Sequence, residues 1–143
     1  LGASLEIVNA ISKVQDHSTS NPTSISQKAG VAALNAPEDF SKSICQEFQK
    51  RRDYCVSRLK SIKKIDFSLP QGAFYIFCDI SKTGLNSNAF AQLLLNETYV
   101  SLIPGRSFGR DDFVRISFAT SLQQLEKGFD RIEKWVGQLQ KKS

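Results

Sequence analysis

Apolar positions recur at helical spacing through the first part of the chain and at strand spacing further on. Leu5, Val8, Ile11 and Val14, with Ile7 beside them, predict an amphipathic helix over residues 4–16 that ends near His17. The polar run Ser18-Thr19-Ser20-Asn21-Pro22 breaks it, because proline disfavours a helical residue before it and can open the next helix at its first turn. Thr23 to Leu34 predicts a second helix, with Ala29, Gly30, Ala32 and Ala33 small enough for close packing, and Asn35-Ala36-Pro37 stops it. A third helix is expected from Glu38 to about Ser61, striped by Phe40, Ile44, Phe48, Cys55, Leu59 and Ile62. At ~1.5 Å per residue it is roughly 35 Å long, enough to bridge two domains. So long a stripe needs a partner along its whole length, and this chain offers little to cover both ends.

The period then changes. Ile65–Leu69 is a short strand candidate and Pro70-Gln71-Gly72 a turn. Ala73-Phe74-Tyr75-Ile76-Phe77-Cys78, aromatic and β-branched, predicts a strand apolar on both faces and therefore central in a sheet. Ser87 is a candidate N-cap for a helix through Glu97 carrying Phe90, Leu93 and Leu94. Two short runs, Val100–Ile103 and Phe113–Phe118, then flank a loop built on Pro104, Gly105, Gly109, Asp111 and Asp112. Ser121 with Gln124 three residues on has the capping-box form, opening a helix with Leu122, Leu125, Phe129, Ile132, Val136 and Leu139 on one face. Three helices, two strands, a helix, two strands and a helix make an α+β domain preceded by helices.

One residue in this pattern is out of place. Arg115 lies inside an apolar strand run, on the face of Phe113 and Ser117 and opposite Val114, Ile116 and Phe118. A guanidinium there needs a planar anionic partner. Two readings stand on the residues alone: an ion pair with Asp111 or Asp112 at the surface, or a fork reserved for the carboxylate or phosphate of a ligand.

Composition narrows the field without naming a function. The chain has 143 residues, 41% of them hydrophobic, which suits one domain or part of one. No apolar run approaches the ~18 residues of a membrane span, so no membrane partner is expected, and the first residues have no secretory-signal form. The net charge of +5 is spread among acids, partly on Lys127, Arg131, Lys134, Lys141 and Lys142 around the last helix, which argues for a solvated surface over a nucleic-acid partner. Cys45, Cys55 and Cys78 have no metal-ligand spacing, and Cys45 and Cys78 sit in apolar patterns as buried thiols do, which suits a reducing cytoplasm. With His17 the only histidine, neither a His-rich metal site nor a histidine-dependent triad has support, and no metal is expected. Gly105 to Gly109 lacks the Gly-Lys-Ser/Thr ending of a phosphate loop. Asp111 and Asp112 read as turn formers, and Arg106 and Arg110 as solvent-facing loop charges.

The sequence Pro104-Gly105-x-x-Phe108-Gly109, followed by Arg115-Ile116-Ser117-Phe118-Ala119, resembles the C-terminal signature of class I pyridoxal-phosphate aminotransferases, aspartate aminotransferase-like members in particular. Three further pieces follow the order of that family. They are the segment Ser18–Ser24, the triplet Arg51-Arg52-Asp53, and the strand start Pro70-Gln71-Gly72-Ala73-Phe74-Tyr75. The resemblance implies the small C-terminal domain of an aspartate aminotransferase-like fold. Residues 1–36 would be the end of the large cofactor-binding domain, 37–62 the interdomain helix, and 63–143 the small domain.

It also implies the chemistry. Arg115 matches the arginine that grips the substrate's α-carboxylate. Ser20 and Asn21 fall where the family approaches the subunit interface and the neighbouring active site, although polar turn chemistry explains both equally well. Leu1-Gly2 looks like the end of the family's phosphate-binding run, so the cofactor lysine would precede this chain. Lys13, Lys28, Lys42 and Lys60 lie on polar helix stretches and do not replace it. No catalytic residue is therefore expected here, and the chain alone should be inactive. The parent would be a cytoplasmic homodimer using pyridoxal 5'-phosphate to move an amino group between an amino acid, aspartate or glutamate foremost, and a 2-oxo acid. Two other classes stay open. One is a non-catalytic aminotransferase-like regulatory or dimerisation domain. The other is a nucleic-acid-binding module, which the aromatic strand Gly72–Phe77 suggests faintly.

Overall fold

The computed structural model describes residues 2–139. Leu1, and the Lys141 and Lys142 of the expected cationic cluster, lie outside them. The chain divides into two units between Ser41 and Lys42.

The first unit holds α1 (Leu5–Ser18) and α2 (Ser24–Leu34), and neither helix buries a residue. Thr23 caps α2, its side chain accepting from the Ser26 N–H. The apolar stripe of α1 is the one its periodicity predicts, yet Leu5, Ile7, Ile11 and Val14 are exposed. Neither helix owes its order here to a buried face, and only α2 has a side-chain cap, since Ser4 makes none at the start of α1.

Helix α3 (Glu38–Ser61) runs across the boundary and keeps its expected limits. Its two ends differ. Phe40 and Ile44 are exposed, whereas Cys55, Val56 and Leu59 are buried. Only the C-terminal part of the long stripe is covered.

The second unit is built on a four-stranded antiparallel sheet in the order β1-β2-β4-β3, made of β1 (Asp66–Phe67), β2 (Tyr75–Asp79), β3 (Ile103–Pro104) and β4 (Phe113–Ser117). β2 is central, as its composition predicts, and pairs with β4 through Tyr75↔Ser117, Phe77↔Arg115 and Asp79↔Phe113. Ile76, Cys78, Val114 and Ile116 project from one face into a core shared with α3, α4 (Ser87–Thr98) and α5 (Leu122–Gln138). Phe90, Leu94, Phe129, Ile132 and Trp135 supply the helical side. Trp135 stands edge-on to Phe90 at 5.0 Å, and its indole N–H donates to Glu97 Oε2 at 2.9 Å. Arg58 ties α3 to α5 by donating to Asp130 Oδ1 at 2.7 Å and Glu133 Oε2 at 3.0 Å.

Several expectations are corrected. The first and third strands are only two residues long: Val100 and Leu102 pack against the core without joining the ladder, which begins at Ile103. Asn86, not Ser87, caps α4, accepting from the Ala89 N–H. Ser87 is the first helical residue and is fully buried. Cys45, expected to be buried with Cys78, is exposed, and it is Cys55 of the α3 stripe that joins Cys78 in the core. Among the described residues no helix is long and apolar enough to cross a membrane, and no metal-ligating cluster is present.

The cysteines give a direct check on this core. Burial pushes the Cys55 thiol up to about 12, and burial together with the nearby Cys55 pushes Cys78 up as well. A thiol reagent at about pH 8 reacts through the thiolate. Peptide mapping should find Cys45 labelled and Cys55 and Cys78 untouched until denaturant is added. The raised values also set a sign. The native state holds these protons while the unfolded chain releases them, so stability falls as pH rises above about 8.5, the ordinary thiol value.

Candidate functional site

Alternation along β4 decides what the sheet shows on its open face. With Val114 and Ile116 buried in the core, Phe113, Arg115 and Ser117 must stand on the other side. The antiparallel register puts Phe77 of β2 and Ile103 of β3 directly across from Arg115. Tyr75 is its diagonal neighbour on β2.

The loop between β3 and β4 brings one more ring to this face. Gly105–Phe108 forms a 3₁₀ turn closed by Gly109 at φ 81°, a left-handed conformation that favours glycine. A side chain at Gly105 would collide with the carbonyl oxygens of Arg110 and Phe113, so the loop folds tightly over its own start. The turn ends with Phe108 edge-on to Phe77, ring centres 6.1 Å apart. Phe77 stacks on Phe113 at 4.8 Å. The Arg115 guanidinium then lies 4.9 Å from the ring centre of Tyr75 and 4.9 Å from that of Phe108.

Both loop aspartates are committed elsewhere, which removes the surface ion pair as a reading of Arg115. Asp112 receives two parallel bonds from Arg110, Nε to Oδ1 at 2.9 Å and Nη2 to Oδ2 at 2.8 Å. That fork holds the Asp112 carboxyl below the usual carboxylate range. Arg110 is exposed, as expected, but lies 4.0 Å above the Phe113 ring. Asp111 Oδ1 accepts from the buried Ser87 hydroxyl at 2.6 Å, and its carbonyl accepts from the Ser87 N–H. Ser87 Oγ in turn accepts from the Arg106 N–H at 3.2 Å. The two acids are turn anchors.

Arg115 therefore differs from the other half-buried arginines. Arg51 pairs with Glu47, Arg52 with Asp53, and Arg58 with Asp130 and Glu133. Among the described residues Arg115 has no hydrogen-bond or ion-pair acceptor, only the two rings. A half-buried planar cation with its fork unused can take a carboxylate or a phosphate through two parallel hydrogen bonds. Charge composition and the Phe113-Arg115-Ser117 alternation make Arg115 legible in the sequence. That Tyr75 and Phe108 flank Arg115 is not legible in the sequence, although Tyr75 shares the period-2 face of Phe77.

Ser20 and Asn21 belong to the first unit and are exposed. Ser20 follows the end of α1 in the left-handed conformation, φ 61°, with its N–H donating to Gln15 O at 2.8 Å. Glycine usually fills such a position, so a serine there is strained. The Asn21 N–H donates to Thr19 O at 2.8 Å. Of the described lysines every one is exposed except Lys64, which is half-buried. None of these lysines is enclosed as an amine anchoring a carbonyl cofactor would be.

The family described as aminotransferase class I and II matches residues 1–132. A probable aspartate/prephenate aminotransferase of Rickettsia felis is 43% identical over 96% of the chain and 36% of its own length. The crystal structure of the aspartate aminotransferase from Rhizobium meliloti is similar with a TM-score of 0.87 at 37% identity, over 95% of this chain and 36% of that one. An aromatic aminotransferase from Pyrococcus horikoshii gives a TM-score of 0.88 at 32% identity, over 96% of this chain and 38% of its own. The chain spans about a third of the length of these relatives.

Proposed function

The chain belongs to the class I and II aminotransferases, and from that premise we propose that it is the C-terminal part of an enzyme moving an amino group between an amino acid and a 2-oxo acid. Aspartate and glutamate are the proposed donors, and Arg115 binds the substrate's α-carboxylate. The observation that carries the role of Arg115 is its free fork: half-buried, flanked by two rings and, among the described residues, without an acceptor.

The chemistry of this chain's own residues is positioning. Two parallel hydrogen bonds from the guanidinium fix both oxygens of a carboxylate, and so fix where the α-carbon and its proton stand. Such orientation contributes several kcal/mol to a reaction that must cleave one particular bond. The family's cofactor, pyridoxal phosphate, supplies an electron sink for that cleavage when bound. We assign its anchoring lysine and most of its contacts to the part of the protein outside this chain, and on that basis the chain alone is inactive.

The domain assignment proposed with this reading is residues 1–36 in the large domain, 37–62 as the interdomain helix and 63–143 as the small domain. Exposed apolar stripes on α1 and on the start of α3 are consistent with surfaces that the rest of the protein covers. Ser20 and Asn21 are proposed to lie near a subunit interface of a cytoplasmic homodimer. The strained backbone of Ser20 supports a role there, because strain is retained where it serves a site.

The test is a donor panel. Full-length protein, supplied with pyridoxal phosphate, is given aspartate, glutamate, alanine or an aromatic amino acid with a 2-oxo acid, and the product amino acid is quantified. Transfer from aspartate or glutamate is expected to be fastest, with none from the 143-residue chain alone. A full-length protein that transfers from no donor is instead a non-catalytic member of the family.

A further inference from the structure

Among the described residues Arg115 is held by something other than an acid. Among the described residues its guanidinium meets no oxygen at hydrogen-bond distance, yet a half-buried side chain that wandered among rotamers would make a poor carboxylate clamp. What surrounds it is two rings, Tyr75 and Phe108, each with its centre 4.9 Å from the guanidinium carbon. That is within the ~6 Å over which a ring's negative face attracts a cation. A ring holds the guanidinium through the ring face and occupies none of its N–H donors. An internal carboxylate would hold it as firmly but would also compete with the ligand.

Each ring is anchored separately. Tyr75 sits in the central strand opposite Ser117 and edge-on to Phe74 at 5.9 Å. Phe108 ends the 3₁₀ turn that Gly105 and Gly109 make possible, and leans on Phe77, which stacks on Phe113 beneath Arg110. The loop's second arginine is thus used to brace the aromatic surface while the strand arginine is kept free.

We propose that Tyr75 and Phe108 are positioning residues that orient the Arg115 fork toward the substrate carboxylate. They act through Arg115. The inference rests on the proposed carboxylate-binding role of Arg115, and the experiment separates the two.

The test is a double-mutant cycle in the full-length protein, read as kcat/KM for aspartate. Phe108→Leu, which removes the ring at a half-exposed site, is expected to lower kcat/KM about tenfold, mostly through KM. Phe108→Tyr, which keeps the ring, should retain most of the wild-type value, and Tyr75→Leu should repeat the loss at an independent site. In an Arg115→Leu background, Phe108→Leu should cause no further loss, since a residue acting through Arg115 has nothing left to orient. Equal losses from Phe108→Leu with and without Arg115 overturn the proposal and leave Phe108 a structural residue. Unchanged kcat/KM in Phe108→Leu and Tyr75→Leu overturns it as well. If Arg115→Leu itself retains activity, the carboxylate role fails first and this inference falls with it.

Discussion

Replacing Arg115 by lysine in the full-length protein is expected to lower kcat/KM for amino-group transfer by about a hundredfold, the size of loss that a misplaced reacting group produces. The substitution keeps the charge and a similar reach. What it removes is the planar fork, and with it the second of two parallel bonds to the carboxylate. A single ammonium leaves the carboxylate free to turn, so both KM and kcat should suffer. Stability should change little, because Arg115 is paired with no acid among the described residues and its loss strands no buried carboxylate. The same substitution at Arg58 would part α3 from Asp130 and Glu133. Steady-state kinetics beside a thermal melt separates these cases. Near-wild-type activity in Arg115→Lys would sink the assignment.

The largest effect on folding is expected at Phe129. This ring is 1% exposed, stands edge-on to Tyr54 at 6.3 Å, and has the Arg58 guanidinium 5.9 Å from its centre. It lies midway along the buried face of α5, between Leu125 and Ile132. Phe129→Ala removes a large apolar side chain and leaves a cavity that the sheet cannot close, a loss of about 3–5 kcal/mol. Against a total of roughly 5–15 kcal/mol for a natural domain, that is enough to bring unfolding near working temperature. Urea denaturation should show a lower midpoint at an unchanged slope. A loss of under about 1 kcal/mol, the size of a surface change, would mean that α5 does not close the core.

Helices with strong local signals were legible from the sequence. The limits of α3 and the Ser121 cap of α5 follow from local chemistry, and the structure keeps both. Strand ends were less legible, because burial and ladder pairing separate at Val100 and Leu102: both pack on the core, but the ladder begins only at Ile103. Cys45 and Cys55 show the same limit in a helix. Both lie on α3, and which is covered depends on where the neighbouring elements stop, a tertiary fact.

The site was half legible. Period-2 alternation is enough to put Arg115 on the face away from Val114 and Ile116. Its surroundings are not encoded locally. Phe108 reaches the sheet only because the loop returns over Gly105, and Asp111 is removed from reach by a serine 24 positions earlier. Distance along the chain hides such contacts. The cap of α4 failed for the same reason: Ser87 has the right chemistry for an N-cap, but its hydroxyl is taken by Asp111, and Asn86 does the capping.

The most direct measurement is an absorbance titration of full-length protein carrying pyridoxal phosphate. Aspartate should convert the bound cofactor to its amine form at a saturable concentration, and 2-oxoglutarate should reverse the change. Arg115→Lys should need a far higher aspartate concentration to reach the same endpoint. A bound cofactor whose spectrum aspartate, glutamate, alanine and an aromatic amino acid all leave unchanged would contradict amino-group transfer, and would leave Arg115 as an arginine held by two rings with no carboxylate to bind.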